Sequence, residues 1–263
     1  MSYKLSRAEI DQFHLQGYLG PYTAMSPEEI KPVDEYLHNH VFKTPGPNPK
    51  DNTHSRHLDT PELYDIVSHP AIVERLASLL GEDLIIWTGG FFIKEPHGVG
   101  RATPMHQDIN YWPLEPQVNI TAWIALEDVT EENAPLRIIP GSHQKMLRHT
   151  AAPDSLFGEE ADPFQVDMSR AITLPMRAGQ FIIFSERLVH GADANLSGTR
   201  RCGMAARYTV PFTRVFPDRN PINFPAHHTI VVSGTDKFGF NRVGAPPASK
   251  VTSPVQPWPV IAE

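Results

Sequence analysis

A chain of 263 residues, 40% hydrophobic and 20% charged, has the balance of a soluble globular protein and can fill one large domain. Its net charge of -7 argues against a nucleic-acid partner, because phosphate binding needs a positive field. The longest apolar stretch, "LIIWTGGFFI" from residue 84, is too short and too broken by glycine to cross a membrane.

Cys202 is the single cysteine, which excludes an internal disulfide or a thiolate cluster and makes a reducing, cytoplasmic location the expectation. No stretch near the start joins basic residues, an apolar run and a small-residue cleavage site, so no secretion signal is expected. Thirteen histidines raise the prospect of metal chemistry.

The chain opens helically. "LSRAEIDQFHLQGYLG" carries Ser6 and Glu9 in capping-box spacing, with Gly17 as the stop. "SPEEIKPVDEYLHNHVF" repeats the device with Ser26, Pro27 and Glu29, although Pro32 leaves the start of that helix open. "TPELYDIVSHPAIVERLASLLG" predicts two short helices divided at Pro70 and ended by Gly81.

From residue 84 the period changes. "LIIWTGGFFIKEP", "NITAWIALEDV", "LRIIPGS", "AITLPMRAGQFIIFSERLVHG" and "RCGMAARYTVPF" are short β-branched or aromatic runs divided by Gly, Pro and Asn. They predict a sandwich or closed barrel. "PDRNPINFP" and the tail "GAPPASKVTSPVQPWP" read as loop or lid. We expect one domain over 1–263: a mainly helical region to 83, a β core over 84–212, and covering loops and tail over 213–263.

The chemistry starts at "PMHQDINYW". In a strand His106 and Asp108 point to one face, as a salt bridge, a catalytic pair or two-thirds of a metal site. His190, ending a strongly apolar run, offers a third group. Two histidines and a carboxylate with the remaining positions open suit a non-haem Fe(II) that activates oxygen. If the chain turns at "NLSG", a hairpin would bring Arg201 onto the strand beside His190 and facing the same way. There its guanidinium could hold the far carboxylate of a dicarboxylate chelating the metal. A one-residue slip would exchange it for Arg200.

"MHQDINYWPLEPQVNITAWIALEDVTEENAPLRIIPGSH" followed by "LVHGADANLSGTRRCGMAARYTV" resembles the phytanoyl-CoA dioxygenase family of Fe(II)/2-oxoglutarate oxygenases. "FHLQGYL" and "VSHPAIVERLASLLGEDL" look like that family's N-terminal helices, so the likeness spans most of residues 5–212. It departs at Asn133-Ala134-Pro135, where relatives read Asn-Gly, which touches a turn.

The resemblance implies a mainly β protein with flanking helices, its core a double-stranded β-helix (jelly roll) behind an N-terminal helical layer. It implies Fe(II) held by His106, Asp108 and His190, with 2-oxoglutarate and O2 as co-substrates and Arg201 on the distal carboxylate. Trp123 matches the family's tryptophan beside the co-substrate. Asn119 and Thr121 share its face, Gln107 falls inside the motif, and Phe91 is expected to line the same pocket. Related halogenases carry a small residue where this chain has Asp108, so a carboxylate there favours hydroxylation.

The expected reaction is hydroxylation of an unactivated C–H of a small-molecule metabolite, coupled to decarboxylation of 2-oxoglutarate. Desaturation, cyclisation or epimerisation at the same iron, a zinc hydrolase, and a catalytically silent jelly-roll binding protein are the alternatives. Tyr111 and Trp112 are expected to wall the substrate side. Lys43, His54, Arg56, His57, Arg214, Arg219, His227 and His228 are polar covering-loop residues that hint at an anionic or polar substrate. The pairs His38/His40 and His54/His57 read as solvated surface, His143 as a turn histidine, and Cys202 as a buried small hydrophobe.

Overall fold

The computed structural model describes residues 2–219 and 222–248. Helix α1 (Arg7–Gln16) begins where Ser6 accepts the Glu9 amide and Glu9 returns a bond to the Ser6 amide. It stops at Gly17, whose φ of 82° is left-handed. Strand β1 (Tyr18–Thr23) follows, and then α2 (Pro27–Asn39), which starts on a second capping box at Ser26 and carries Pro32 without breaking. Helices α3 (Pro61–Val67) and α4 (Pro70–Leu80) divide at Pro70 as the spacing predicts.

The strands then run in order: β2 (Leu84–Lys94), β3 (Thr103–His106), β4 (Leu114–Glu115), β5 (Ile120–Ala125), β6 (Leu136–Ile138), β7 (His149–Ala151) and β8 (Glu159–Ala161). They continue with β9 (Ile172–Leu174), β10 (Gln180–Ser185), β11 (His190–Ala192), β12 (Arg201–Thr209), β13 (Arg214–Val215) and β14 (Ile230–Ser233). A six-stranded antiparallel sheet, ordered β1-β10-β5-β12-β2-β14, packs against a four-stranded one, β3-β11-β6-β9. This is the jelly-roll core.

Both edge strands of the larger sheet, β1 and β14, come from outside residues 84–212. The sequence reading has no strand at β1, because Gly20 and Pro21 interrupt its pattern. An edge strand tolerates such residues, and β1 pairs on one side with β10. The tail beyond residue 248, expected as loop or lid, lies outside the described residues.

Alternation along the central strands sorts the core into two. Cys202, Met204, Ala206 and Tyr208 of β12 pack with Leu63, Ile66, Ile72 and Leu76 of the helices. Trp123, Ala205, Ile182 and Phe184 face inward, against Leu136 and Ile138 of the smaller sheet. Each fully buried aliphatic side chain contributes roughly 1.5–3 kcal/mol, so the helical layer is a structural partner of the sheet. Gly203, on the inward face, meets the Trp123 indole so closely that any Cβ there would collide with the ring. The inter-sheet layer houses the candidate site.

Candidate active site

His106 is the last residue of β3, and His190 the first of β11; they are direct cross-strand partners with ring centroids 4.2 Å apart. Asp108 is not in the strand. Gln107 is still extended, and Asp108 opens a 3-10 turn, so the motif bends as the strand ends. The carboxylate still converges: its Oδ1 lies 3.4 Å from His106 Nε2 and 3.9 Å from His190 Nε2. One ligand atom from each of the three lies within 4.8 Å of the others, and all three residues are buried.

The protonation states suit a cation. His106 Nδ1 bonds the Pro104 carbonyl at 2.8 Å and His190 Nδ1 the Leu188 carbonyl at 2.9 Å. A carbonyl only accepts, so the proton sits on Nδ1 and each Nε2 turns a lone pair to the shared centre. Burial pulls His190 down to about 4, which keeps its ring neutral. Burial alone would raise the Asp108 carboxyl, but the His106 imidazole beside it and the Arg207 guanidinium hold it below the usual carboxylate range, and a proton on His190 would lower it further. Arg207, permanently cationic with Nε 4.0 Å from Asp108 Oδ2, keeps that carboxyl ionised even with both imidazoles neutral. Neutral imidazoles and an ionised carboxylate are the forms a divalent metal needs.

Beside this centre, a narrow cavity runs between the sheets to Arg201, lined by Trp123, Phe92, Leu136, Phe184 and Ala205. Arg201 is 1% exposed, its Nε has no hydrogen-bond partner, and its guanidinium stands 5.2 Å from the Trp123 ring centroid. Burial lowers it to about 10, so it remains charged. Lys94, opposite Arg201 across the strand pair, is buried too, and burial together with the Arg201 charge brings it to about 7. A buried guanidinium with an orphan donor fits a carboxylate arriving from the cavity. The donor set at the other end fits Fe(II), so the residues present suit both groups.

A larger cavity of about 750 Å³ opens on the far side of the triad. Tyr111 and Trp112 line it, joined by Phe157, whose ring is 4.8 Å from that of His106.

Other expected residues lie elsewhere. Phe92, not Phe91, faces Trp123; Phe91 turns to the helical side against Phe42 at 4.7 Å and also borders the larger cavity. Asn119 and Thr121 do share Trp123's face, but they line neither cavity. Trp87 Nε1 donates to Asn119 Oδ1, Asn119 Nδ2 to Thr121 Oγ1, and Thr121 Oγ1 to Asp108 Oδ2, a chain that braces the carboxylate from behind. Gln107 is fully buried away from the cavities. Its backbone N–H donates to His149 and its side chain bonds Lys145, Leu147 and Arg187, stapling the 145–149 segment to the motif.

The hairpin expected between His190 and Arg201 does not form. Strand β11 pairs with β3 and β6, whereas β12 pairs with β2 and β5. The chain crosses from one sheet to the other at 193–200, and Arg201 reaches the cavity from the opposite wall. Arg200 faces outward, paired with Glu127 at 2.7 Å and Asp34 at 3.2 Å.

Of the eight covering-loop residues named above, His54 borders the larger cavity, beside Asp51 and Thr53 of the same loop. The readings of His54, His57 and His38 as solvated surface are corrected. His57 and His227 are buried, His54 is pulled to about 4 by burial, and His38 lies at ion-pair distance from Asp34. Arg56 is a buried staple donating to the carbonyls of Val41, Thr44 and Asn52. His143 binds the His14 carbonyl, as a turn histidine should.

Arg207 is the residue the sequence reading missed. It borders both cavities and lies over the Trp112 ring at 4.3 Å. Alternation from Arg201 through Gly203 and Ala205 would have found it. Phe157 gave no such signal, because it sits in the loop between β7 and β8.

The phytanoyl-CoA dioxygenase (PhyH) family pattern matches residues 13–203. L-proline trans-4-hydroxylase of Streptomyces griseoviridis is 32% identical over 196 residues, covering 64% of this chain and 70% of that protein. The chain spans about half the length of two further curated relatives, 51% of a probable phytanoyl-CoA dioxygenase of Caenorhabditis elegans and 53% of phytanoyl-CoA dioxygenase domain-containing protein 1 of Bos taurus. The non-haem monooxygenase ThoJ, in its apo form, superposes with a TM-score of 0.76 at 26% identity over 91% of this chain and 88% of its own. SnoK, a non-haem α-ketoglutarate-dependent carbocyclase from nogalamycin biosynthesis, gives 0.63 at 26% over 81% and 87%. The chain belongs to the phytanoyl-CoA dioxygenase family of iron- and 2-oxoglutarate-dependent oxygenases.

Proposed function

We propose that this oxygenase hydroxylates an unactivated C–H of a small-molecule metabolite, with His106, Asp108 and His190 holding Fe(II) and Arg201 holding 2-oxoglutarate. The observation that carries the reading is the convergence of two Nε2 lone pairs and one carboxylate oxygen between a cavity that ends at Arg201 and a cavity of about 750 Å³. When bound, Fe(II) supplies oxygen activation coupled to decarboxylation of 2-oxoglutarate.

The chain's own residues do the rest. Arg201 anchors the distal carboxylate, while Trp123 and Phe92 form flat apolar walls that admit a slender molecule and exclude water. Thr121 holds Asp108 Oδ2 and so aims Oδ1 at the two imidazoles. Tyr111, Trp112 and Phe157 shape the substrate side, where rigid rings orient a carbon toward the triad at low entropic cost.

The proline hydroxylase relative supports hydroxylation, and the carbocyclase neighbour supports ring closure as the second reading. The test is succinate release from 2-oxoglutarate with Fe(II) and O2, followed by mass spectrometry of any consumed substrate. Hydroxylation adds one oxygen atom; cyclisation removes two hydrogens. Succinate formation that continues under nitrogen, or none with any candidate substrate, would count against the reading.

A further inference from the structure

We propose that Asp34 Oδ1, His38 Nε2 and Cys202 Sγ form a second metal site, for a borderline-soft divalent cation of the zinc class, that clasps α2 to the outer face of β12. The three ligand atoms lie within 4.8 Å of one another. Asp34 and His38 are one turn apart on α2, so their side chains share a face, and Cys202 points up at them from the sheet.

The unpartnered atoms point to a ligand. Asp34 Oδ1 and His38 Nε2 are both shielded from water, and among the described residues neither has a hydrogen-bond partner. They nevertheless stand 3.4 Å apart, the same separation as His106 Nε2 and Asp108 Oδ1 in the triad. Their contact is at ion-pair distance but makes no hydrogen bond, and a cation between the two atoms would give each a full partner. A tetrahedral zinc with ligands at about 2.0–2.3 Å sets its ligand atoms roughly 3.5 Å apart, so a small inward shift of the thiol completes three positions and leaves the fourth for water.

The surroundings agree. Asp34 is 7% exposed, and its other oxygen accepts from Arg200 at 3.2 Å, an outer contact that orients Oδ1. Arg200 is shared with Glu127, so one guanidinium faces two carboxylates and the cluster can take added positive charge. Cys202 is fully buried and its thiol is held protonated by burial. Binding therefore exchanges one thiol proton, released to solvent, for the metal–sulfur bond. His38, with 16% of its side chain exposed, is the entry edge. Sulfur, imidazole and carboxylate together favour zinc or cobalt over magnesium or calcium.

The single cysteine gives this site its own signature, because the His106–Asp108–His190 centre contains no sulfur. Metal-free protein carrying His106→Ala would be titrated with Co(II) under argon and watched for sulfur-to-cobalt charge-transfer absorption. We expect the band to saturate at one cobalt per chain, with release of one proton. His38→Gln keeps the thiol and should weaken cobalt binding at least about ten-fold; Cys202→Ser should abolish the band. If Cys202→Ser does not fold, Asp34→Asn and His38→Gln carry the test. The proposal is overturned by no band at saturating Co(II), or by a band unchanged in His38→Gln, which would mean a thiol binding cobalt alone. Because His106→Ala disables the iron triad, the result stands apart from the oxygenase reading.

Discussion

Arg201 and His190 border the same narrow cavity from different sheets, His190 on β11 of the smaller and Arg201 on β12 of the larger. The cavity is therefore spanned from wall to wall, with metal-binding groups on one side and a buried guanidinium on the other. A molecule with a chelating end and a distal carboxylate fits that arrangement.

Removing the guanidinium should show first in co-substrate binding. Arg201→Ala is expected to raise the KM for 2-oxoglutarate by about 30-fold or more, since losing one partner of a buried charge pair costs roughly 2–5 kcal/mol. Arg200→Ala, which breaks the outward pairs to Glu127 and Asp34, should lower stability by about 1 kcal/mol and leave that KM unchanged. Steady-state kinetics and thermal melts on both variants separate the two arginines.

Gly203→Ala tests the cavity wall. A methyl group there meets the buried Trp123 ring, which must shift into the space the co-substrate needs. We expect a fold costing about 1–3 kcal/mol to distort and a KM for 2-oxoglutarate at least about ten-fold higher. An unchanged KM would show that Trp123 does not border the bound co-substrate.

Lys94 makes a two-signed prediction. Its charge lies close to that of Arg201 in a buried setting, and burial with this repulsion already holds it at about 7. Lys94→Met should stabilise the protein without 2-oxoglutarate and weaken 2-oxoglutarate binding about ten-fold. Thermal melts with and without the co-substrate would read both effects.

Acid should unfold the metal-free protein in a defined window. His54, His190 and His227 are each lowered from 6.5 to about 4, burial being the first cause in every case. The folded state binds fewer protons than the unfolded one between those values. Stability is therefore full above pH 6.5 and lost as the pH falls toward about 4. Melting temperature against pH should fall through that range, and His227→Gln should flatten the slope.

How much of this was legible in the residues follows from how local each signal is. Capping boxes at Ser6 and Ser26 and the breaks at Pro70 and Gly81 are short-range, and the helices form where they predict. The pairing of His106 with Asp108 is equally local, although the strand ends between them. Arg201 was reached by a hairpin that does not exist. Which sheet a strand joins depends on non-local pairing, and the cavity receives Arg201 from either neighbour. Phe91 and Phe92 were exchanged because β2 is apolar on both faces, so its pattern cannot announce which side turns inward. The buried histidines 57 and 227 sit in irregular segments, where polarity suggests solvent and only tertiary packing shows otherwise.

The most direct measurement is an anaerobic crystal structure with Mn(II) standing in for Fe(II) and with 2-oxoglutarate. Anomalous scattering should place the metal within about 2.0–2.3 Å of His106 Nε2, Asp108 and His190 Nε2, with the far carboxylate of 2-oxoglutarate on Arg201. Metal bound away from either imidazole, or the keto acid lying in the larger cavity with Arg201 untouched, would contradict the account.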